Sequence, residues 1–166
     1  MLSGKTTLIA HIGHPTESFK APMIYNPWFE KRGLDAMVVP MGVRAGDYPV
    51  SLKQIFRFTN LRGALVTMPH KVATMSLADE ASVTARIAGA ANALLKREDG
   101  SLLADQFDGV GFARGAARKG FKTKGSKILI IGTGGVGSPI AASLAADGAA
   151  SISLYNRTPE KSEGLA

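Results

Sequence analysis

Residues 127–156 read KILIIGTGGVGSPIAASLAADGAASISLYN, and this stretch decides the fold. Ile128, Leu129, Ile130 and Ile131 form a continuous apolar run, the pattern of a short strand buried on both faces. Gly132, Gly134, Gly135 and Gly137 follow at once. An alanine-rich helical stretch comes next, then a second strand over 151–154. Strand, glycine turn, helix and strand in this order form the setting in which a G-x-G-x-x-G pattern signals dinucleotide binding. The first glycine permits a tight turn, the second lets the backbone approach a pyrophosphate, and the third position lets helix and strand pack closely. Backbone N–H groups at the helix start then face the phosphates, whose charge the helix dipole favours.

The end of the second strand bears on which dinucleotide. An NAD site places Asp or Glu there, on the ribose 2′-hydroxyl. Here the strand runs into Asn156, Arg157 and Thr158, with Lys161 just beyond. Arginine suits a bidentate grip on a 2′-phosphate, so NADP is favoured over NAD. Only two strands of a unit that has about six when complete fit before Ala166, so the chain reads as the first part of a longer protein.

Upstream, strands and helices alternate from the start. Strands are expected over 7–12, 36–39 and 64–66, with helices over 22–32, 50–58 and 70–77 between and after them. Asp79 or Ser82 could cap a further helix ending near Gly89. Asp99-Gly100 marks a hairpin joining 93–96 to 102–104, and a helix rich in Ala and Gly follows over 108–119. The class is α/β with mostly parallel pairing. The chain divides near Asp108 into an α/β unit over 1–107 and the start of a Rossmann-type unit over 108–166.

Composition narrows the classes. A 45% hydrophobic and 20% charged chain is an ordinary globular one, and the absence of cysteine removes disulfides, thiolate metal sites and a cysteine nucleophile. No apolar run is long enough to span a membrane, and the N-terminus lacks the features of a signal peptide. A cytoplasmic setting is expected. The +7 formal charge is scattered rather than clustered with aromatics, which argues against nucleic acid and fits an anionic small molecule.

Two residues outside the glycine turn stand where chemistry is expected. Lys71 follows a buried-looking strand in VTMPHK, at the carboxyl edge of the sheet. A lysine there can act as a general acid or base, although a surface lysine is the commoner case. Asp108, in ADQFDG, lies at the junction of the two units, where clefts form; alone it reads as an N-cap. Ser3-Gly4-Lys5-Thr6 imitates a P-loop but lacks its upstream glycine. His11, His14 and His70 lack metal-ligand spacing, so no metal is expected.

Together these stretches resemble the shikimate dehydrogenase family. The resemblance is carried in order by GHPTESFKAPMIYN, GALVTMPHK, GAANALL, ADQFDGVG, IIGTGGVGSPIA and NRTPEK. It implies an N-terminal α/β substrate-binding domain followed by a Rossmann-type NADP-binding domain. It implies reversible reduction of 3-dehydroshikimate, or a related cyclic hydroxy or keto acid, with NADPH. Lys71 then matches the catalytic lysine and Asp108 its partner. Thr67 and Asn92 match residues that bind substrate hydroxyls. Gly132, Gly134, Gly135 and Val136 match the diphosphate turn, and Asn156, Arg157, Thr158 and Lys161 the 2′-phosphate segment. A homodimer is a candidate assembly. In the family, late helices return to complete the substrate domain.

Five positions depart from the family pattern, and four of them are apolar. The serines that grip the substrate carboxylate are Phe19 and Ala21 here, with Lys20 and Ser18 as candidate replacements. An expected asparagine is Leu65, and the asparagine and threonine before the aspartate are Gln106 and Phe107. A site without these donors discriminates poorly for shikimate, so a different or less polar substrate is expected. The alternative is a non-catalytic paralogue that senses a nucleotide or metabolite; retention of Lys71 with Asp108 speaks for chemistry.

Overall fold

The structure, a computed structural model, describes residues 2–166. Its first sheet has six strands in the order β2-β1-β3-β5-β6-β4. These are β1 (Thr7–Gly13), β2 (Ala36–Gly42), β3 (Leu61–Val66), β4 (Glu80–Ala81), β5 (Ala93–Lys96) and β6 (Leu102–Asp105). Helices α1 (Ala21–Lys31), α2 (Tyr48–Ile55), α3 (Lys71–Met75) and α4 (Val83–Ala88) connect them. Helix α5 (Asp108–Arg118) leads to a second sheet, where β7 (Lys127–Ile131) and β8 (Ser151–Tyr155) flank α6 (Gly137–Ala146) before α7 (Pro159–Glu163). β1 pairs in parallel with β2 and β3, β4 with β6, and β7 with β8; β5 is antiparallel to both neighbours.

Alternation along the strands decides which face is core. Ala10 and Ile12 of β1, with Ala64 and Val66 of β3, point into the main cluster with Leu52 and Phe56. His11 and Leu65 are register partners and therefore share the opposite face. At the outer edge of the sheet, the Asn26 side chain accepts from the Val38 N–H at 2.8 Å and donates to the Val38 carbonyl at 3.1 Å. The hairpin forms as expected, with Gly100 at φ +87 and the Arg97 N–H donating to the Ser101 carbonyl.

Several boundaries move for identifiable reasons. Helix α2 starts at Tyr48, not Val50, because Pro49 is tolerated in a first turn where its missing N–H is not needed. Ser82 caps α4 through Ala85 N–H, and Gly89 ends it in the left-handed conformation. Asp79 instead accepts from the Leu102 N–H, tying β4 toward β6. The larger correction concerns β7. Ile130 is buried under α6, but Leu129 and Ile131 are 63% and 74% exposed. Among the described residues β7 has β8 as its only strand neighbour, so its free edge opens on a groove of about 680 Å³ with Phe112 and Phe121 opposite.

Beside Lys71 in sequence, His70 belongs to a buried polar cluster whose titration responds to burial. The Tyr48 ring stacks on His70 at 4.0 Å, and its hydroxyl lies 2.7 Å from Thr74 Oγ1. Burial pushes the Tyr48 phenol up from 10.0 to about 12, a rise the Thr74 bond partly offsets. Burial also pushes His70 and His11 below 6.5. Tyr48 therefore contributes stability that is complete below pH 10 and lost as pH rises through about 12. The histidines contribute stability that is complete above pH 6.5 and lost as pH falls through their lowered values. The melting temperature should hold a plateau between these limits. Tyr48→Phe should remove most of the alkaline fall, about 3 kcal/mol at full deprotonation. Equal alkaline falls in the two proteins would assign the loss elsewhere.

Candidate active site

Lys71 and Asp108 come together although 37 residues separate them. After β3, the Thr67 N–H donates to the Ile12 carbonyl at 2.9 Å, and the His70 N–H donates to the Thr67 carbonyl at 3.0 Å. That turn makes Lys71 the first residue of α3. Its Nζ donates to Asp108 Oδ2 at 2.5 Å, and the two side chains are 12% and 25% exposed. Asn92 Nδ2 donates to the other carboxylate oxygen at 2.8 Å, while its Oδ1 accepts from the Phe107 N–H at 3.0 Å. Asp108 is thus not an N-cap. It is the first residue of α5, with Phe107 at the cap position, and both its oxygens are engaged by Lys71 and Asn92.

The four apolar departures take different places in the fold. The Phe19 ring lies 4.0 Å from His11 and beside Thr67, where any Cβ on Gly13 would strike it. Phe19 therefore fills space at the end of β1. Leu65 lies on the sheet face of His11. Ala21 opens α1 and is half-buried, and Phe107 is largely exposed beside Asp108. Ser18 and Lys20 are exposed. His11 Nδ1 is buried and has no hydrogen-bond partner among the described residues; burial favours the uncharged ring. None of these groups supplies a second fixed cation beside Lys71.

The glycine turn meets the pair from the end of β7 in the second sheet. Gly132 sits at φ +98, a conformation that favours glycine, and a Cβ on Gly137 would overlap the Gly132 carbonyl oxygen. Gly135 stands against Lys71: a Cβ there would lie 3.6 Å from Lys71 Cβ and 3.6 Å from Ala90 Cβ. Val136 occupies the cap position of α6, and among the described residues no side chain caps that helix. Its first turn has no acidic residue, so its N–H groups suit an anion. Asn156 Oδ1 accepts from the Thr133 N–H at 3.3 Å and its Nδ2 donates to the Thr158 carbonyl at 2.9 Å. Asn156 thereby joins the turn to the segment bearing Arg157 and Lys161, both exposed. A phosphate-bearing dinucleotide fits these donors.

Sequence reasoning passed over two features of this arrangement. Asn92 serves Asp108 and the backbone of Phe107 at once, which no local pattern announces. Gln106 carried no role beyond a departure, yet it is wholly buried and bonded to Ala90, Asp108 and Gly135. The only sequence signal was a polar residue between Asp105 and Asp108 in a stretch that had to turn inward.

The structure thus sets a lysine–aspartate pair against a Rossmann-type glycine turn. The chain belongs to the shikimate dehydrogenase family: residues 11–94 match the shikimate dehydrogenase substrate-binding domain and residues 115–166 the shikimate / quinate 5-dehydrogenase model. A shikimate dehydrogenase (NADP(+)) of Rubrobacter xylanophilus is 35% identical over 164 residues, which are 99% of this chain and 57% of that protein. Shikimate 5-dehydrogenase of Thermus thermophilus, solved with NADP(H) and shikimate, superposes with a TM-score of 0.87 at 29% identity. That match covers 97% of this chain and 60% of the other. The 5-ketofructose reductase of Gluconobacter sp. strain CHM43 superposes with a TM-score of 0.86 at 29% identity, covering 99% of this chain and 58% of the other. The chain thus spans a little over half the length of the relatives it matches.

Proposed function

We propose that the protein bearing this chain is an NADP-dependent oxidoreductase of the shikimate dehydrogenase type. In this reading residues 1–107 form the substrate-binding domain, and residues 108–166 begin the cofactor domain. The observation that carries it is the Lys71–Asp108 pair, with Asn92 on the second carboxylate oxygen and the glycine turn against the lysine stem. A bound nicotinamide would supply the hydride. Lys71 would hold the substrate carbonyl oxygen and give it a proton as charge develops, while Asp108 keeps the ammonium aimed. Thr67 and Asn92 would orient neighbouring hydroxyls. Gly132, Gly134, Gly135 and Val136 would seat the diphosphate, and Asn156, Arg157, Thr158 and Lys161 the 2′-phosphate.

Phe19 and Ala21 bias the substrate away from a tightly held carboxylate, and Leu65 removes a further polar group. We therefore place 3-dehydroshikimate beside related cyclic hydroxy or keto acids, and beside uncharged ketoses such as the substrate named for the Gluconobacter neighbour. Among the described residues no helix is long and apolar enough to cross a membrane. A cytoplasmic setting and a homodimer belong to the same proposal.

The test is NADPH oxidation with 3-dehydroshikimate, a panel of keto acids and 5-ketofructose. NADPH binding without turnover of any of them would replace this reading with that of a sensing paralogue, which the apolar positions favour. For the cofactor, Arg157→Ala combined with Lys161→Ala should weaken NADPH binding by about 10- to 100-fold through lost charge-assisted bonds. NADH binding should stay unchanged. A parallel loss of both would mean that these side chains do not read the 2′-phosphate.

A further inference from the structure

We propose that Gln106 is a positioning residue that ties the glycine turn to the Lys71–Asp108 pair. The proposal rests on the dinucleotide reading above. Gln106 is 1% exposed. A buried primary amide is costly unless its donors and acceptor find partners, so its three partners define what it holds. Its Oε1 accepts from the Asp108 N–H at 2.9 Å. Its Nε2 donates at 3.4 Å to the Ala90 carbonyl and at 3.4 Å to the Gly135 carbonyl. One side chain thus binds the residue of the reacting carboxylate, the segment leading to Asn92, and the middle of the glycine turn.

The surroundings make this a tether rather than a filler. Gly135 leans on the Lys71 stem and Ala90 from one side. The segment carrying Gln106 is pinned from the other, since the Phe107 N–H donates to Asn92 Oδ1 and the Gln106 N–H donates to Asp105 Oδ1 at 2.7 Å. Asp105 Oδ1 also accepts from Ser82 Oγ at 2.5 Å. Hydride and proton transfer need cofactor and acid in register within a fraction of an ångström. The two groups stand on different sheets, and Gln106 carries hydrogen bonds to both sides of that joint.

Gln106→Leu keeps much of the side-chain volume and removes all three bonds. The measurement is the rate at which an acylating reagent modifies Lys71, read by mass spectrometry at mildly alkaline pH, without cofactor and with saturating NADP+. Leu52→Ala, in the core of the first sheet, is the control for general destabilisation. Without cofactor, Lys71 should react about threefold or more faster in Gln106→Leu than in wild type, with Leu52→Ala unchanged. NADP+ should slow the reaction in wild type and do so far less in Gln106→Leu. Gln106→Asn, which can reach only some of the partners, should fall between. Wild-type reactivity in Gln106→Leu, or an equal rise in Leu52→Ala, would overturn the proposal. Failure of wild type to bind NADP+ would overturn the dinucleotide reading instead, and the cofactor-free comparison would still decide the tether.

Discussion

Lys71→Ala should lower kcat by about 10²- to 10⁴-fold, the usual worth of a positioned general acid. The NADPH KM should move by no more than about twofold, because an interaction made mainly in the transition state is lost from kcat and not from ground-state binding. The stem of Lys71 lies against Gly135, so a small cofactor effect through packing is expected as well. Asp108→Asn should cost less. Its amide still offers an oxygen to one donor, but its NH₂ must then face either Lys71 Nζ or Asn92 Nδ2, both of which donate. A Lys71→Ala enzyme with kcat near the wild-type value would remove the lysine from the chemistry. A large rise in the NADPH KM at constant kcat would recast it as a cofactor residue.

The second large effect comes from two glycines on one helix. A Cβ on Gly109 would overlap the Pro139 carbonyl oxygen and Ser143 Oγ, where α5 crosses α6. Ser143 can rotate, but the Pro139 carbonyl belongs to the backbone of α6, so the helices must separate. Overpacking of this kind costs about 3 kcal/mol, or a melting temperature roughly 6–12 °C lower for Gly109→Ala. Gly115 has nothing within 4 Å of its Cβ position. Gly115→Ala should therefore stabilise by about 0.5–1 kcal/mol through helix propensity alone. The same substitution with opposite sign in one helix is checked by two thermal melts. Because Asp108 adjoins Gly109 and α6 begins at the glycine turn, Gly109→Ala should also weaken NADPH binding. Gly109→Ala with wild-type stability would show that the crossing can relax.

What was legible in the sequence was local or periodic. The glycine turn, the Asp99-Gly100 hairpin and the Ser82-to-Gly89 helix each rest on backbone demands that few residue types meet, so residue type announces conformation. Lys71 and Asp108 were visible as positions at a sheet edge and a junction, and the family resemblance paired them. The geometry around them was not visible. Gln106 and Asn92 act through backbone groups of distant segments, and no spacing rule links residue 92 to 107 or 106 to 135. The apolar run of β7 is covered on one face only within this chain, where β8 is its one strand neighbour among the described residues; whether one face or both of such a run are covered is decided by its neighbours, not by the run itself. The exposed Leu129 and Ile131 belong to a sheet edge facing an open groove.

The outer margin of the larger sheet is treated otherwise. At Val38 the Asn26 amide occupies the donor and acceptor that an incoming strand would need. The side chain plays the part of a neighbouring peptide unit, with one carbonyl and one N–H presented in strand-like fashion. An extended segment of another molecule approaching β2 finds the ladder position at Val38 taken. On this edge, a single residue of α1 thus stands in for the strand that would otherwise extend the sheet at Val38.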